Sequence, residues 1–375
     1  MHMNVWLHIG PQKTGSTSIQ KSLENLENPK FSYLSFGNFE KELTNKTFNH
    51  SKPMRFIFDD EFFIRHSKWK SFSKESSEKL RKNLKKNLTN EISRKDKQHI
   101  IISGEGLGTC NAKTVKKMKD FFADHSCNLK IIFYHRDAID KIKSRFQQRL
   151  KNRIFSIDEL DYKSVSSYLL NYLKYFNKKQ IIIRGFGKKE LANGCVVQDF
   201  CQLIGLKINV NDVIRANTSM SLHSAKVLYI YNKYLLNEKN IKGKRKDRYK
   251  LQNFITEAYT GSQKIDTNLF KFICKDEDLI NDNKFLAEKF DFHKRNKGII
   301  EKFVSVFKSF KLINPSVSIT NFNELDLFFS DPSDINNAPL DDFLIQKGVE
   351  KNRFHEVSLE KKVGLVHEVL CNHKL

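Results

Sequence analysis

The sequence predicts an α/β protein: a mostly parallel central sheet covered by helices on both faces, three layers in all, with a mainly helical C-terminal extension. Three observations predict it. Apolar runs at residues 5–9, 99–103, 129–134 and 180–184 read as strands buried on both faces. Helical patterns alternate with these runs, the rhythm of a parallel sheet. The first run also leads straight into a glycine-bearing loop and then a helix, an order in which backbone N–H groups at the helix start can surround an anion.

In chain order, Val5 to Ile9 forms the first strand, and Ile19, Leu23 and Leu26 give the following helix its apolar spacing. Residues 28–98 are polar, aromatic and charge-rich, with a helix over Lys74 to Leu88 and weak strand patterns near Arg55 to Phe58. This stretch reads as an excursion between core strands, either a lid facing an acceptor or a surface subdomain. His99 to Ser103 is the next strand, ending in Gly104-Glu105-Gly106, with a helix over Asn111 to Ala123. Leu129 to Tyr134 is another strand, followed by a helix opened by Asp137 that carries Ile139, Ile142 and Phe146 on one face. A helix over Asp161 to Phe176, a strand at Gln180 to Arg184 and a helix at Val196 to Ile204 closed by Gly205 complete the alternation. From Leu222 the pattern is helical, interrupted by a charged break at Gly243 to Arg248, and residues 293–375 show short helices with a turn near Asp331-Pro332. The expected division is residues 1–292 as the α/β domain and 293–375 as a helical extension.

With 375 residues and 39% hydrophobic content, the chain can bury a substantial core. It contains no apolar run of about 18 residues, and its start lacks a signal-peptide pattern, so a cytoplasmic protein without a membrane span is expected. Six cysteines lie scattered, with no C-x-x-C pair and no histidine at zinc spacing; reduced thiols are the default. Lys and Arg total 66 against 43 Asp and Glu, a net +23. That charge favours anionic partners, while abundant Lys, Asn, Ile and Phe give the same excess from an AT-rich genome; both readings stand.

The loop Gly10-Pro11-Gln12-Lys13-Thr14-Gly15-Ser16-Thr17-Ser18 carries the most specific chemistry. A nucleotide triphosphatase loop needs Gly, four residues, then Gly-Lys-Ser/Thr, the lysine reaching the β/γ-phosphates. Gly10 and Gly15 keep that separation, but Ser16 stands where the lysine belongs and the lysine is at position 13. A second constellation is His135-Arg136-Asp137 at a strand end, with Ser144 eight residues after Arg136 on the next helix. A fixed cation and a hydroxyl there can give charge-assisted hydrogen bonds to phosphate.

Lys13-Thr14-Gly15-Ser16-Thr17 resembles the 5′-phosphosulfate loop of sulfotransferases that use 3′-phosphoadenosine-5′-phosphosulfate (PAPS). Arg136 with Ser144 resembles that family's 3′-phosphate site. Phe186, Leu191, Gly194, Asp199-Phe200 and Leu203-Gly205-Leu206 resemble its bacterial, carbohydrate-type branch; Arg215 to Ser219 and Asn283 to Ala287 do so more weakly. The resemblance covers roughly residues 4–292 and implies a P-loop sulfotransferase fold, no metal, and transfer of a sulfuryl group to a hydroxyl or amine of a glycan or glycan precursor. It implies cofactor binding by Gly10, Lys13, Thr14, Gly15, Ser16, Thr17, Ser18, Arg136 and Ser144, with Lys13 neutralising the leaving oxygen. Two family features are missing: Gly243-Lys244-Arg245 is only a loose echo of the Arg-Lys-Gly loop, and the Lys-x-His-x-Pro histidine is absent.

The expected general base is Glu105, which follows a buried strand where reacting groups of open α/β sheets gather. Its alternative role is to cap the helix near Asn111 or to pair with a lysine or arginine; His8, His66, Asp60 and Glu61 are reserve candidates. Two other functions stay open: a P-loop kinase or other nucleotide-binding enzyme, for which Glu105 is the nearest magnesium carboxylate, and a basic nucleic-acid-binding protein, suggested by charge and 31 phenylalanines.

Overall fold

Runs of isoleucine form the centre of the protein because β-branched side chains suit a pleated surface buried on both sides. The structure is a computed structural model and describes residues 2–36, 48–62, 73–152, 157–216, 219–237, 245–260, 263–292 and 319–370. Five strands, β1 (Asn4–His8), β2 (Phe31–Tyr33), β3 (His99–Ser103), β4 (Asn128–His135) and β5 (Ile181–Gly185), lie in the order β2-β3-β1-β4-β5. Every pairing is parallel, with Leu7 beside Ile102 on one side and Ile131 on the other.

The helices are α1 (Ser16–Leu23), α2 (Ser51–Phe58), α3 (Lys74–Ile92), α4 (Ala112–Asp124), α5 (Ala138–Asn152), α6 (Ser166–Leu173) and α7 (Val196–Ile204). After them come α8 (Leu222–Asn237), α9 (Arg245–Ala258), α10 (Asp276–Phe290), α11 (Phe322–Ser330), α12 (Ala338–Gln346) and α13 (Leu359–Leu370). Contacts divide the chain into two units. The first unit holds Met1–Asp137, Lys163–Asn217 and Ile280–Phe307; the second holds Ala138–Tyr162, Thr218–Leu279 and Lys308–Leu375.

In the first unit, alternate strand residues face opposite layers. Leu7, Ile102 and Ile131 pack under α2, α3, α4 and α6, whereas Trp6, Ile101 and Ile132 pack under α1 and α7. Local chemistry sets several helix ends. Asn111 accepts from Thr114 N–H (2.8 Å) at the start of α4, and Gly205, at φ +77°, ends α7 while Leu206 N–H returns to the Cys201 carbonyl (2.8 Å). Asp199, almost fully buried on α7, accepts from Tyr134 Oη (2.7 Å) and Ala192 N–H (3.2 Å) and pairs with Arg184, which binds α7 to β4 and β5.

Residues 28–98 are more than an excursion. They supply β2, whose Phe31 to Tyr33 pair with His99 to Ile101 of β3, and two helices that bury Met54, Phe56, Leu84 and Leu88 in the core. The weak strand pattern near Arg55 to Phe58 is a helix: Pro53, Met54, Phe56, Ile57 and Phe58 form one wide buried face, and short apolar runs do not distinguish strand from buried helix. The helix expected over 161–176 is confined to α6, because residues 161–164, after a short 3₁₀ turn at Ile157–Glu159, carry no regular structure and Val165 is a bend. The charged break at 243–248 is partly helix, since α9 starts at Arg245; residues 243 and 244 lie outside the described residues.

The second unit packs α5, α8, α9, α11, α12 and α13 around Phe146, Phe270, Phe329, Leu340 and Val363. Phe146 lies 4.5 Å from Phe329 and 5.3 Å from Phe270 between ring centroids. Within this unit the described part of 293–375 therefore shares its core with residues from 138–152 and 219–258. Among the described residues, no helix is long and apolar enough to cross a membrane.

Two buried histidines join the strand ends in the first unit. His50 accepts from Ser103 N–H at Nδ1 (3.0 Å), and its other nitrogen meets the Leu34 carbonyl (2.8 Å), which can only accept; the proton is therefore on Nε2. Burial pushes the His50 pKa down to about 3 and that of His8 down to about 4. The unfolded chain protonates these rings near pH 6.5, before the folded protein does. Stability is therefore lost as the pH falls from about 6.5 toward about 3, by up to about 1.4 kcal/mol per pH for each ring. The urea midpoint should drop between pH 7.5 and pH 5. His50→Gln, which can donate to Leu34 and accept from Ser103 without titrating, should drop distinctly less; an identical drop would show that His50 does not contribute.

Candidate active site

The loop after β1 is held from both sides. Ile9 N–H donates to the Ile132 carbonyl (3.1 Å) and the Gly10 carbonyl accepts from Tyr134 N–H (3.3 Å), extending the alignment with β4 for two residues beyond the strand. Gly10 then turns at φ +96°, and a Cβ there would stand 3.0 Å from both Cα and O of Glu105. Any side chain at position 10 would push the loop off the β3 end. Gly15, at φ +73°, is the N-cap of α1, and a Cβ on it would meet Val196 Cγ1 at 2.6 Å. Lys13 adopts φ +71°, a left-handed conformation that costs a non-glycine residue about 1–3 kcal/mol and is retained only where neighbours impose it.

One such neighbour is Arg136, whose Nη1 donates to the Lys13 carbonyl (2.6 Å). The Arg136 guanidinium also lies 5.3 Å from the centroid of Phe186, the residue after β5. The structure thus brings Arg136 and the Lys13 loop together through a direct contact that sequence spacing did not suggest.

The loop hydroxyls divide by role. Thr14 is buried and donates to the Pro11 carbonyl (2.7 Å), closing the loop on itself. Ser18 Oγ accepts from Ala216 N–H (3.0 Å), so this residue, expected to bind a ligand, also anchors the 213–216 segment. Thr17 is half-buried. Ser16 is 2% exposed, and its Oγ has no hydrogen bond among the described residues. A buried hydroxyl without a partner is costly unless something else bonds it. It stands on the first residue of α1, at the positive helix pole, where Ser18 N–H already donates to the Gly15 carbonyl (2.9 Å). A buried hydroxyl at a positive helix pole is a donor of the kind that suits an oxyanion.

Strand order adds a reason for this location. From β1 the chain leaves toward the layer of α1, and from β3 toward that of α4, so the strand order reverses beside the loop, the kind of position where open α/β sheets bind ligands. Glu105 begins the 3₁₀ turn Glu105–Thr109 at the end of β3 and is half-buried. The turn is fixed by Gly106 N–H to Ser51 Oγ (2.9 Å) and Gly108 N–H to the Ile9 carbonyl (3.0 Å). Asn111 itself caps α4, accepting from Thr114 N–H. Ser144 lies in the second unit, half-buried on α5 two turns from its start.

The reserve candidates fare differently. His8 is fully buried and neutral, and Asp60 is held below the usual carboxylate range by Lys117 (2.7 Å), with Lys113 and Arg81 close by. Glu61 is exposed beside Asp59, its N–H donating to Asp59 Oδ1 (3.2 Å), and His66 lies outside the described residues. Among the described residues, no group of three or more His, Cys, Asp or Glu could hold a metal ion. Sequence reasoning missed Gln20 and Ser103, buried polar residues joined beneath the loop. The signal for Gln20 was a polar side chain inside the helix stripe marked by Ser16, Ile19 and Leu23.

No protein-family model matches the chain, and no curated protein matches it in sequence.

Proposed function

We propose that the protein is a sulfotransferase that moves a sulfuryl group from PAPS to a hydroxyl or amine of a glycan or glycan precursor. The observation that carries this reading is Ser16: a buried hydroxyl without a hydrogen bond at the start of α1, in the position where a triphosphatase loop would carry lysine. In this reading Ser16, Thr17 and the first-turn N–H groups hold the 5′-phosphate and sulfuryl oxygens. Lys13 meets the charge that grows on the bridging oxygen as the sulfur–oxygen bond breaks. Glu105 takes the proton from the acceptor as its oxygen or nitrogen bonds to sulfur, leaving the 3′,5′-bisphosphate as the other product. Arg136 recognises the 3′-phosphate, a role that the resemblance also implies for Ser144, and Arg136 also shapes the loop through Lys13. Catalysis is then positioning plus electrostatics. Free thiols on Cys110, Cys127, Cys195, Cys201 and Cys274 support a reducing, cytoplasmic setting.

Incubation with PAPS and a panel of glycans, with sulfated product detected by mass, tests the reading directly. Magnesium-dependent ATP hydrolysis would favour a kinase-like enzyme instead, and salt-sensitive binding to random DNA without affinity for the bisphosphate would favour a nucleic-acid-binding protein. Calorimetry should give tighter binding of 3′-phosphoadenosine-5′-phosphate than of the 5′-monophosphate, by about 1.5–3 kcal/mol for each charge-assisted contact. Equal affinities would overturn the 3′-phosphate role of Arg136 and the one implied for Ser144. Lys13→Ala should lower turnover far more than nucleotide affinity, because the charge it meets grows in the transition state; normal turnover at saturation would exclude it. Glu105→Gln should lower transfer by about 10²–10⁴-fold with nucleotide binding retained, and near-normal transfer would exclude Glu105 as the base.

A further inference from the structure

Several segments of the first unit converge on one serine at the end of β3. Ser103 Oγ accepts from Gln20 Nε2 (3.2 Å) and lies 2.8 Å from His8 Nδ1. The Ser103 carbonyl accepts from the same Gln20 nitrogen (3.3 Å) and from His50 N–H (3.0 Å), while Ser103 N–H donates to His50 Nδ1 (3.0 Å). Gln20, Ser103, His8 and His50 are all buried. His8 ends the strand that enters the anion loop, Gln20 belongs to the helix that leaves it, and Ser103 stands two residues before Glu105. Next to His50, Ser51 accepts from Gly106 on the far side of Glu105 (2.9 Å).

Burial alone would favour an apolar side chain at position 20, like its neighbours Ile19 and Leu23. Apolar contact is non-directional and tolerates sliding. A single amide bonded to both the hydroxyl and the carbonyl of one residue fixes distance and orientation together. We propose that Gln20 and Ser103 are positioning residues: they tie the helix whose N-terminus faces the anion to the turn that carries Glu105, so that loop and base hold one fixed relation. What the tie serves rests on the sulfotransferase reading; the tie itself does not.

Binding an anion needs the loop alone, whereas transfer needs loop and base in register. A misplacement of about 1 Å can cost about 10²-fold in rate. The test uses the full chain with Gln20→Met, which keeps volume but removes both bonds, Ser103→Ala, and Ser103→Thr as the conservative variant. Without any ligand, hydrogen exchange should quicken about tenfold at residues 104–109 in Gln20→Met and at residues 16–19 in Ser103→Ala, each effect crossing to the other segment. Effects confined to the altered segment would overturn the proposal. In both variants kcat should fall about 10²-fold while the Kd for 3′-phosphoadenosine-5′-phosphate stays within about threefold, and Ser103→Thr should recover most of the rate. Parallel loss of kcat and binding would mark a merely structural role and also overturn it. If the wild-type chain transfers no sulfuryl group, the proposed function falls, and the exchange result alone decides the tie.

Discussion

The approach of Gly10 to the backbone of Glu105 is the constraint from which the rest of the site follows. With 3.0 Å between the position of a Cβ on Gly10 and the Glu105 Cα, the loop after β1 and the turn after β3 are in van der Waals contact through main chain. Main-chain contact leaves little room for adjustment, since backbone atoms do not change rotamer as side chains do. The Gly108 N–H bond to the Ile9 carbonyl, at 3.0 Å, holds the same two segments a few residues further on. Parallel pairing of β1 and β3 in register, His8 beside Ser103, brings both strands to their ends at one level, and the contact is its continuation.

Arg136 holds the loop through its backbone. A guanidinium offers five N–H donors in a fixed fork, so one donor can serve the Lys13 carbonyl without exhausting the group. That bond helps to offset the cost of a left-handed Lys13, which is comparable to one charge-assisted hydrogen bond. Replacing Arg136 therefore changes the loop as well as any phosphate contact, and a loss of affinity in such a variant does not by itself measure recognition.

Legibility followed the strength of the local signal. His99 to Ser103 was readable to the residue because three consecutive isoleucines flanked by polar and glycine residues admit little but a buried strand. Asn111 and Gly205 were readable because their helix-end chemistry is local. Phe31 to Tyr33 was not, since three residues carry no period and the strand exists through its pairing to β3. Arg55 to Phe58 misled because a short apolar run fits a buried helix equally well. In the site, the loop was visible as a motif, whereas the burial of the Ser16 hydroxyl without a hydrogen bond among the described residues was not. The anchoring of Ser18 to Ala216 and the bond from Arg136 to Lys13 depend on contacts 198 and 123 residues apart in sequence, which no local pattern encodes.

The polar group under α1 shows why such long-range contacts matter beyond stability. His8 Nε2 is buried with no hydrogen bond among the described residues, and its ring rests against Tyr134 and Phe200, both 5.8 Å away between centroids. A neutral imidazole with one nitrogen unmet is less favourable than an apolar ring of the same size, by roughly 1–3 kcal/mol if a donor is stranded. With Nδ1–H donated to Ser103 Oγ, the unmet group is an acceptor, and the serine oxygen gains a donor alongside Gln20. In that tautomer His8 supplies direction to the Ser103 hydroxyl that a phenylalanine could not. The fold thus carries a local cost beneath the loop, and what it gains is a fixed orientation between the helix after the loop and the turn after β3.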